Sequence, residues 1–78
     1  MERKKIIIFG ATGNVGSYLT LYALNFFDKE KYEVIASGRR KTEFWTRQGV
    51  RYCSVDLTKA EDFENLPQEN VYAVIHLA

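Results

Sequence analysis

One stretch decides the fold of this 78-residue chain: Ile6-Ile7-Ile8-Phe9-Gly10-Ala11-Thr12-Gly13-Asn14-Val15-Gly16. It begins with an unbroken apolar run, which predicts a strand covered on both faces. The glycines predict a sharp turn, and a helical pattern follows them. Because the first turn of a helix offers unpaired N–H groups and the positive end of the helix dipole, this order of elements predicts a binding site for a pyrophosphate.

From Val15 onward the apolar residues change to helical spacing and recur on one side of the predicted helix. We expect this stripe to be the buried face. A second apolar set widens the stripe beyond what one sheet face needs, and we expect that set to be partly bare. The stripe consists of Val15, Tyr18, Leu19, Tyr22, Ala23 and Phe26, and the second set consists of Leu21, Leu24 and Phe27.

Strands and helices continue to alternate along the rest of the chain. Thr42 and Gly49 are typical of the two ends of a short helix, and Thr58-x-x-Glu61 is typical of the start of a third helix, which Pro67 ends. Such alternation implies right-handed crossovers and a parallel sheet. We therefore expect an α/β fold, half of a doubly wound Rossmann-type fold, with four parallel strands in order 3-2-1-4 and flanking helices. The later predicted strands are Tyr32–Ala36, Val50–Val55 at an edge, and Val71–Leu77.

The composition excludes several classes of protein. The chain is 46% hydrophobic and 27% charged with a net charge of +1, which is typical of a globular domain and indicates no nucleic-acid partner. The single cysteine, Cys53, excludes an internal disulfide, and we expect it to be a small buried hydrophobe. The single histidine leaves no zinc site, so we expect no bound metal. No stretch approaches the ~20 apolar residues of a membrane helix, and we expect a cytoplasmic protein.

The spacing Gly10-x-x-Gly13-x-x-Gly16 resembles the cofactor loop of the short-chain dehydrogenase/reductase superfamily. It is most similar to the extended branch, the NAD-dependent epimerase/dehydratase family, whose members act on nucleotide sugars. The resemblance implies a nicotinamide dinucleotide cofactor. Thr12 and Asn14 are each suited to capping the helix or to contacting phosphate, and for Thr12 we favour the cap. The loop residues expected to bind the cofactor are Gly10, Thr12, Gly13, Asn14, Val15 and Gly16.

The end of the second strand indicates which dinucleotide is bound. NAD-specific sites place an acidic residue about 20 residues past the glycines, but here the stretch reads Ala36-Ser37-Gly38-Arg39-Arg40. A guanidinium binds a phosphate through two parallel hydrogen bonds, whereas a carboxylate would repel it. We therefore predict that Arg39 and Arg40, with Ser37 as a hydroxyl donor, bind the 2′-phosphate of NADP. The alternative is that both arginines are solvated and the chain takes NAD.

Two further segments extend the resemblance to the end of the chain. Asp56 and Leu57 follow the third strand, where the superfamily places an acid that accepts from the adenine amine. Asp56 is alternatively a turn or cap residue ahead of Thr58. The segment His76-Leu77-Ala78 resembles the end of the fourth strand in extended members, and the resemblance implies that it lines the cofactor.

The catalytic pair of the superfamily, Tyr-x-x-x-Lys, does not occur in residues 1–78. The family carries that pair downstream of the fourth strand. We therefore expect residues 1–78 to be the N-terminal NAD(P)-binding segment, without the catalytic and substrate-binding part, and to be inactive by itself. The resemblance implies an epimerase, dehydratase or reductase acting on a nucleotide sugar or a related carbonyl or alcohol. Two alternatives are a non-catalytic NAD(P)-sensing regulator of the same fold and a half-domain with a structural role.

The predicted fourth strand lies at an edge of the sheet. It is apolar, and an edge strand presents unpaired backbone N–H and C=O groups. We therefore expect the chain to self-associate through this edge, by strand addition or strand exchange.

Overall fold

The computed structural model describes residues 3–76, which form one parallel sheet with helices on its faces. The strands lie in the order β3 (Tyr52–Ser54), β2 (Tyr32–Gly38), β1 (Lys4–Phe9) and β4 (Val71–His76), which confirms the predicted half of a doubly wound α/β fold. The predicted edge position of β3 is confirmed within this sheet. The elements are β1 (Lys4–Phe9), α1 (Asn14–Phe26), β2 (Tyr32–Gly38), α2 (Phe44–Arg47), β3 (Tyr52–Ser54), a 3₁₀ helix (Ala60–Asn65) and β4 (Val71–His76).

The central strand β1 is buried on both faces, as its unbroken apolar run predicts. Ile6 and Ile8 face α1 and pack in a cluster with Ala23 of that helix. Ile7 and Phe9 face the opposite side, where the cluster also includes Val55 and Cys53. The predicted burial of Cys53 is confirmed, and burial raises the pKa of its thiol. The sheet therefore separates two apolar layers.

Helix α1 contacts the sheet through a different face from the one that we predicted. Its buried residues are Gly16, Thr20 and Ala23, which recur at i, i+4 and i+7. Most of the predicted stripe faces outward: the exposed fractions are 72% for Val15, 76% for Tyr18, 63% for Tyr22 and 66% for Phe26. The second apolar set is only half-buried, which confirms that it is partly bare: Leu24 and Phe27 pack against the cluster that contains Ile6 and Val34, and Leu21 against the cluster that contains Trp45.

A close approach of backbone to backbone explains this orientation. Gly16 lies so near the Gly10 carbonyl that a Cβ at position 16 would overlap the carbonyl oxygen and crowd its carbon. Small residues on this face let α1 lie close to the end of β1, whereas Tyr and Phe there would hold it away.

The ends of the later helices differ in part from the predictions. Helix α2 spans four residues, and the Thr42 hydroxyl accepts a hydrogen bond from the backbone N–H of Phe44 at 3.2 Å. Gly49 has a φ of 76°, which confirms the left-handed residue predicted after this helix. The capping box predicted at Thr58 is wrong. The element there is a 3₁₀ helix with Lys59 at its N-cap and no side-chain cap, and the backbone N–H and hydroxyl of Thr58 donate to Asp56.

Within residues 3–76, no helix has both the length and the apolar character that crossing a membrane requires.

We expect Gly16→Ala to lower the free energy of unfolding by about 2 kcal/mol or more, because the new methyl group overlaps backbone atoms that cannot move independently. Gly13→Ala is the matched control. A Cβ at position 13 lies 3.6 Å from the Gly10 carbonyl oxygen, an ordinary contact, so we expect a loss of about 1 kcal/mol or less. Urea unfolding followed by the fluorescence of the buried Trp45 measures both. Equal losses in the two variants would contradict the close approach.

Candidate functional site

The loops that follow β1, β2 and β3 meet at the carboxyl edge of the sheet and enclose a cleft of about 290 Å³. This is the edge at which parallel α/β sheets bind ligands. Gly10 and Thr12 come from the loop after β1, Gly38 and Arg39 from the end of β2, and Asp56 and Leu57 from the loop after β3. The structure thus brings together residues from three of the four predicted segments.

The glycine loop leaves the first turn of α1 open to an anion. Gly13 is the N-cap residue and makes no side-chain capping bond. The predicted capping role of Thr12 is therefore wrong. The first intrahelical bond runs from Ser17 N–H to the Gly13 carbonyl at 2.8 Å, which leaves the preceding amides of Asn14, Val15 and Gly16 without an intrahelical acceptor. These N–H groups, at the positive end of the helix dipole, are suited to a phosphate.

Thr12 connects the first cleft to a second cleft of about 290 Å³ on the α1 and α2 side. The second cleft is lined by Thr12, Thr42 and Arg40, by Ser17, whose hydroxyl bonds to the carbonyls of Ala11 and Gly13, and by Phe44 and Trp45. Hydroxyl groups beside a guanidinium form a polar cavity that accepts an anion.

Arg39 and Arg40 lie at the end of β2, exposed, on either side of Thr12. Arg39 lines the first cleft and Arg40 lines the second. No carboxylate among residues 3–76 lies within ion-pair distance of either guanidinium. Both charges are therefore available to a ligand.

Ser37 lies outside both clefts. Its side chain is fully buried and donates a hydrogen bond to the Cys53 carbonyl at 2.8 Å, on the far face of the sheet from α1. The structure gives this hydroxyl a role in joining β2 to β3 and leaves it no surface for a ligand. The cofactor site that we propose below therefore does not include Ser37.

Asp56 lines the first cleft and also forms a turn. Its Oδ1 accepts from the backbone N–H of Thr58 at 2.9 Å and from the Thr58 hydroxyl at 2.6 Å. The hydroxyl bond, followed by the backbone bond, lowers the pKa of Asp56. The backbone N–H of Asp56 in turn donates to Asp62 Oδ2 at 2.9 Å. Asp56 thus forms this turn and lines the cleft at the same time, so its role in the turn does not exclude a contact with a ligand.

His76 ends β4, exposed, with its ring centroid 5.9 Å from that of Phe9. Phe9 lines the first cleft, so His76 lies beside that cleft without lining it. Leu77 and Ala78, which the family resemblance also implicated, lie outside the described residues.

Sequence reasoning missed the supporting residues of the site. Thr58 fixes Asp56, and the Asp-x-Thr spacing is a known signal for this type of turn. Gly38 lines the first cleft where β2 leaves the sheet, and Tyr52 bonds to the backbone of Arg40. Gly38 belongs to the stretch from which we predicted the cofactor, although we gave it no role there, and Tyr52 belongs to no motif that we used. Among residues 3–76, no group of three or more His, Cys, Asp or Glu side chains is placed to hold a metal ion.

Comparisons with known proteins identify the family. The profile of the NAD dependent epimerase/dehydratase family matches residues 6–78. The chain is also similar to the solved structure of L-threonine dehydrogenase from Clostridium difficile, with a TM-score of 0.73 and 34% sequence identity. The match covers 100% of this chain and 24% of that enzyme, so the chain spans about a quarter of its length. No curated protein sequence matches this chain. The chain belongs to the NAD-dependent epimerase/dehydratase family.

We expect Thr58→Val to raise the pKa of Asp56 toward its ordinary value, because the variant loses the hydroxyl bond, the largest cause of the lowered pKa. A carboxyl with a lowered pKa stabilises the fold above its ordinary pKa and loses that contribution as the pH falls through the lowered value. In the variant this contribution is smaller, and its loss is complete at a higher pH. An NMR titration of the Asp56 carboxyl carbon measures the shift, with Thr46→Val on the exposed side of α2 as the control. An unchanged titration in Thr58→Val would contradict the assignment.

Proposed function

We propose that this chain, as a member of the NAD-dependent epimerase/dehydratase family, is the dinucleotide-binding segment of an oxidoreductase that prefers NADP(H) over NAD(H). The observation that carries the proposal is the junction at Thr12. There Arg39 and Arg40, which form no ion pair with a carboxylate among residues 3–76, line adjoining clefts, and the neighbouring first turn of α1 has no side-chain cap.

Residues in the first cleft and in the adjacent first turn of α1 suit the parts of an adenine dinucleotide. The amides of Asn14, Val15 and Gly16 donate to the pyrophosphate, and Gly10 allows it to approach the backbone. At the other end, Leu57 offers an apolar surface to the adenine ring. Asp56 is ionised at neutral pH, as any aspartate with a lowered pKa is, and both internal bonds fall on Oδ1. Its Oδ2 is therefore the oxygen that accepts from the adenine amine.

The preference for NADP rests on charge at the end of β2. The stretch Gly38-Arg39-Arg40 holds no acid to bind a ribose 2′-hydroxyl and repel a phosphate. Arg39 and Arg40 instead present two cations, and Arg40 lines a second cleft together with Thr12 and Thr42. A 2′-phosphate of about −1.5 to −2 charge (by analogy with a phosphomonoester) is attracted to such a site.

The chemistry of the complete protein follows from its family. We propose that it transfers a hydride between the nicotinamide and an alcohol or carbonyl carbon of its substrate, which is a nucleotide sugar or a related compound. The family membership and the dehydrogenase neighbour support an oxidoreductase. Because residues 1–78 contain no Tyr-x-x-x-Lys pair, we propose that this segment binds the cofactor and is inactive by itself. We further propose that the protein acts in the cytoplasm.

We expect the chain to bind NADPH more tightly than NADH. Arg39→Ala and Arg40→Ala each weaken NADPH binding by about tenfold or more and leave NADH binding nearly unchanged, because a charge-assisted bond to phosphate is lost in NADPH only. Calorimetric titration with the two cofactors in parallel measures the four affinities. Arg47→Ala is the matched control. Arg47 is an exposed arginine of α2 that lines neither cleft and forms an ion pair with Glu43.

Each other result has a definite meaning. Equal affinities for the two cofactors in the wild-type chain would overturn the NADP preference and indicate an NAD protein with solvated arginines. Failure to bind either cofactor, both in this chain and in a longer chain containing it, would overturn the dinucleotide site itself. Binding without any turnover by the longer chain would favour the sensing regulator.

We also propose that the chain self-associates through β4. Among the described strands β4 pairs only with β1, so its outer edge carries backbone groups that no described strand pairs. Val71, Tyr72 and Val74 on this strand are exposed. An apolar edge strand of this kind pairs readily with another copy.

We expect sedimentation equilibrium to show association of the chain at high micromolar concentration. Val74→Lys weakens it by about tenfold, because a lysine on an edge strand opposes strand pairing. Val15→Lys places the same charge on the exposed side of α1 and is the matched control. A wild-type chain that stays monomeric at high concentration would contradict the proposal.

A further inference from the structure

The pairing of β2 with β3 ends just before the two arginines. The last residue pair is Gly38 with Ser54, and the backbone N–H of Val55 donates to the Gly38 carbonyl at 2.8 Å. The chain then leaves the sheet. The carbonyls of Arg39 and Arg40 accept hydrogen bonds from side chains of β3 rather than from its backbone.

Two hydroxyl groups of one strand hold these two successive carbonyls. Ser54 Oγ donates to the Arg39 carbonyl at 3.3 Å, and the Tyr52 hydroxyl donates to the Arg40 carbonyl. Tyr52 and Ser54 are two residues apart, so the period of a strand places both on the same face. The spacing Tyr-x-Ser on β3 therefore matches the spacing of the carbonyls on the segment that crosses it.

The Tyr52 hydroxyl also lies close to the glycine loop. A Cβ at Gly38 would lie 3.0 Å from Thr12 Oγ1 and 3.1 Å from the Tyr52 hydroxyl. Both groups thus approach the Cα of Gly38, which only a glycine permits without a shift. Thr12 lines both clefts, so the tyrosine anchors the arginine segment beside the junction of the two clefts.

The tyrosine keeps its proton under physiological conditions. Burial raises its pKa from 10.0, although the nearby charge of Arg40 opposes this effect. At neutral pH the hydroxyl is therefore a donor, as a bond to a carbonyl requires. Its ring packs against the buried cluster that contains Ala36 and Trp45.

We propose that Tyr52 and Ser54 are positioning residues for cofactor choice: their hydroxyls hold the backbone of Arg39 and Arg40 so that the two guanidinium groups face the 2′-phosphate of NADP. The inference rests on the proposed NADP preference. An arginine side chain on a mobile loop loses more conformational freedom when it binds than one on a fixed backbone. Holding the backbone before the ligand arrives therefore strengthens NADPH binding without any contact between Tyr52 or Ser54 and the cofactor.

The test compares NADPH and NADH affinities in Tyr52→Phe, Ser54→Ala and the double variant. We expect the preference for NADPH to fall about threefold to tenfold in each single variant and further in the double variant, while NADH affinity changes little. Phe keeps the ring that packs beside Trp45, so the fold is retained. Tyr22→Phe removes a phenolic hydroxyl from the exposed face of α1 and is the matched control.

A second measurement does not depend on affinity. The ¹⁵N order parameters of the Arg39 and Arg40 amides fall in Tyr52→Phe if the hydroxyl holds this segment. Unchanged order parameters, an unchanged preference, or equal weakening of NADPH and NADH binding would each overturn the positioning role. A wild-type chain with no preference for NADPH would overturn the proposed cofactor choice, and this inference with it. That failure shows in the wild type and is thereby distinguished from failure in the variants.

Discussion

The close contact between Gly16 and the Gly10 carbonyl is the constraint on which the rest of the structure depends. No other residue type fits at position 16 without moving backbone. This contact brings the start of α1 against the end of β1, so that the open amides of the first turn face the carboxyl edge of the sheet. The contact continues along the helix through Thr20 and Ala23, and the buried Thr20 hydroxyl is satisfied by the Gly16 carbonyl at 2.7 Å. Core packing and anion binding therefore share one origin.

The same constraint explains the aromatic surface of α1. When small residues face the sheet, the large residues at the neighbouring helical positions must face outward. The rings of Tyr22 and Phe26 stack at 5.7 Å, and Phe27, Tyr32 and Tyr72 continue the series of ring contacts to the edge of the sheet. Such contacts between rings reduce the water-exposed area of each ring, although the outer ones remain exposed.

Much of the fold could be predicted from the sequence because the signals there are local and strong. An unbroken apolar run that ends in glycine predicts a buried strand at β1. The alternation of strands and helices predicts a parallel sheet in a common doubly wound strand order. The face of α1 could not be predicted in the same way. Helical periodicity shows which residues share a side, but the sheet selects the side by steric fit. Thr58 was mispredicted for a different reason: its backbone N–H and hydroxyl both donate to the carboxylate of Asp56, which closes a turn, and the N-cap position falls on Lys59. The burial of Ser37 could have been predicted from the alternation of faces along a strand, because Ser37 lies on the same face of β2 as Ile35.

The cofactor site divides into a backbone part and a side-chain part. In the site that we propose, the amides after Gly13 bind the pyrophosphate, which NAD and NADP share, so this part does not distinguish the two cofactors. Discrimination must come from the segment after β2, whose arginines are exposed and contribute little to the core. It follows that the cofactor preference can change by substitution at Arg39 and Arg40 without loss of the fold, whereas changes in the glycine loop affect both. Substitutions of the hydroxyl-bearing residues of β3 are intermediate between these two cases. Their hydroxyls bond to the backbone of the arginine segment, whereas the ring of Tyr52 packs against the core.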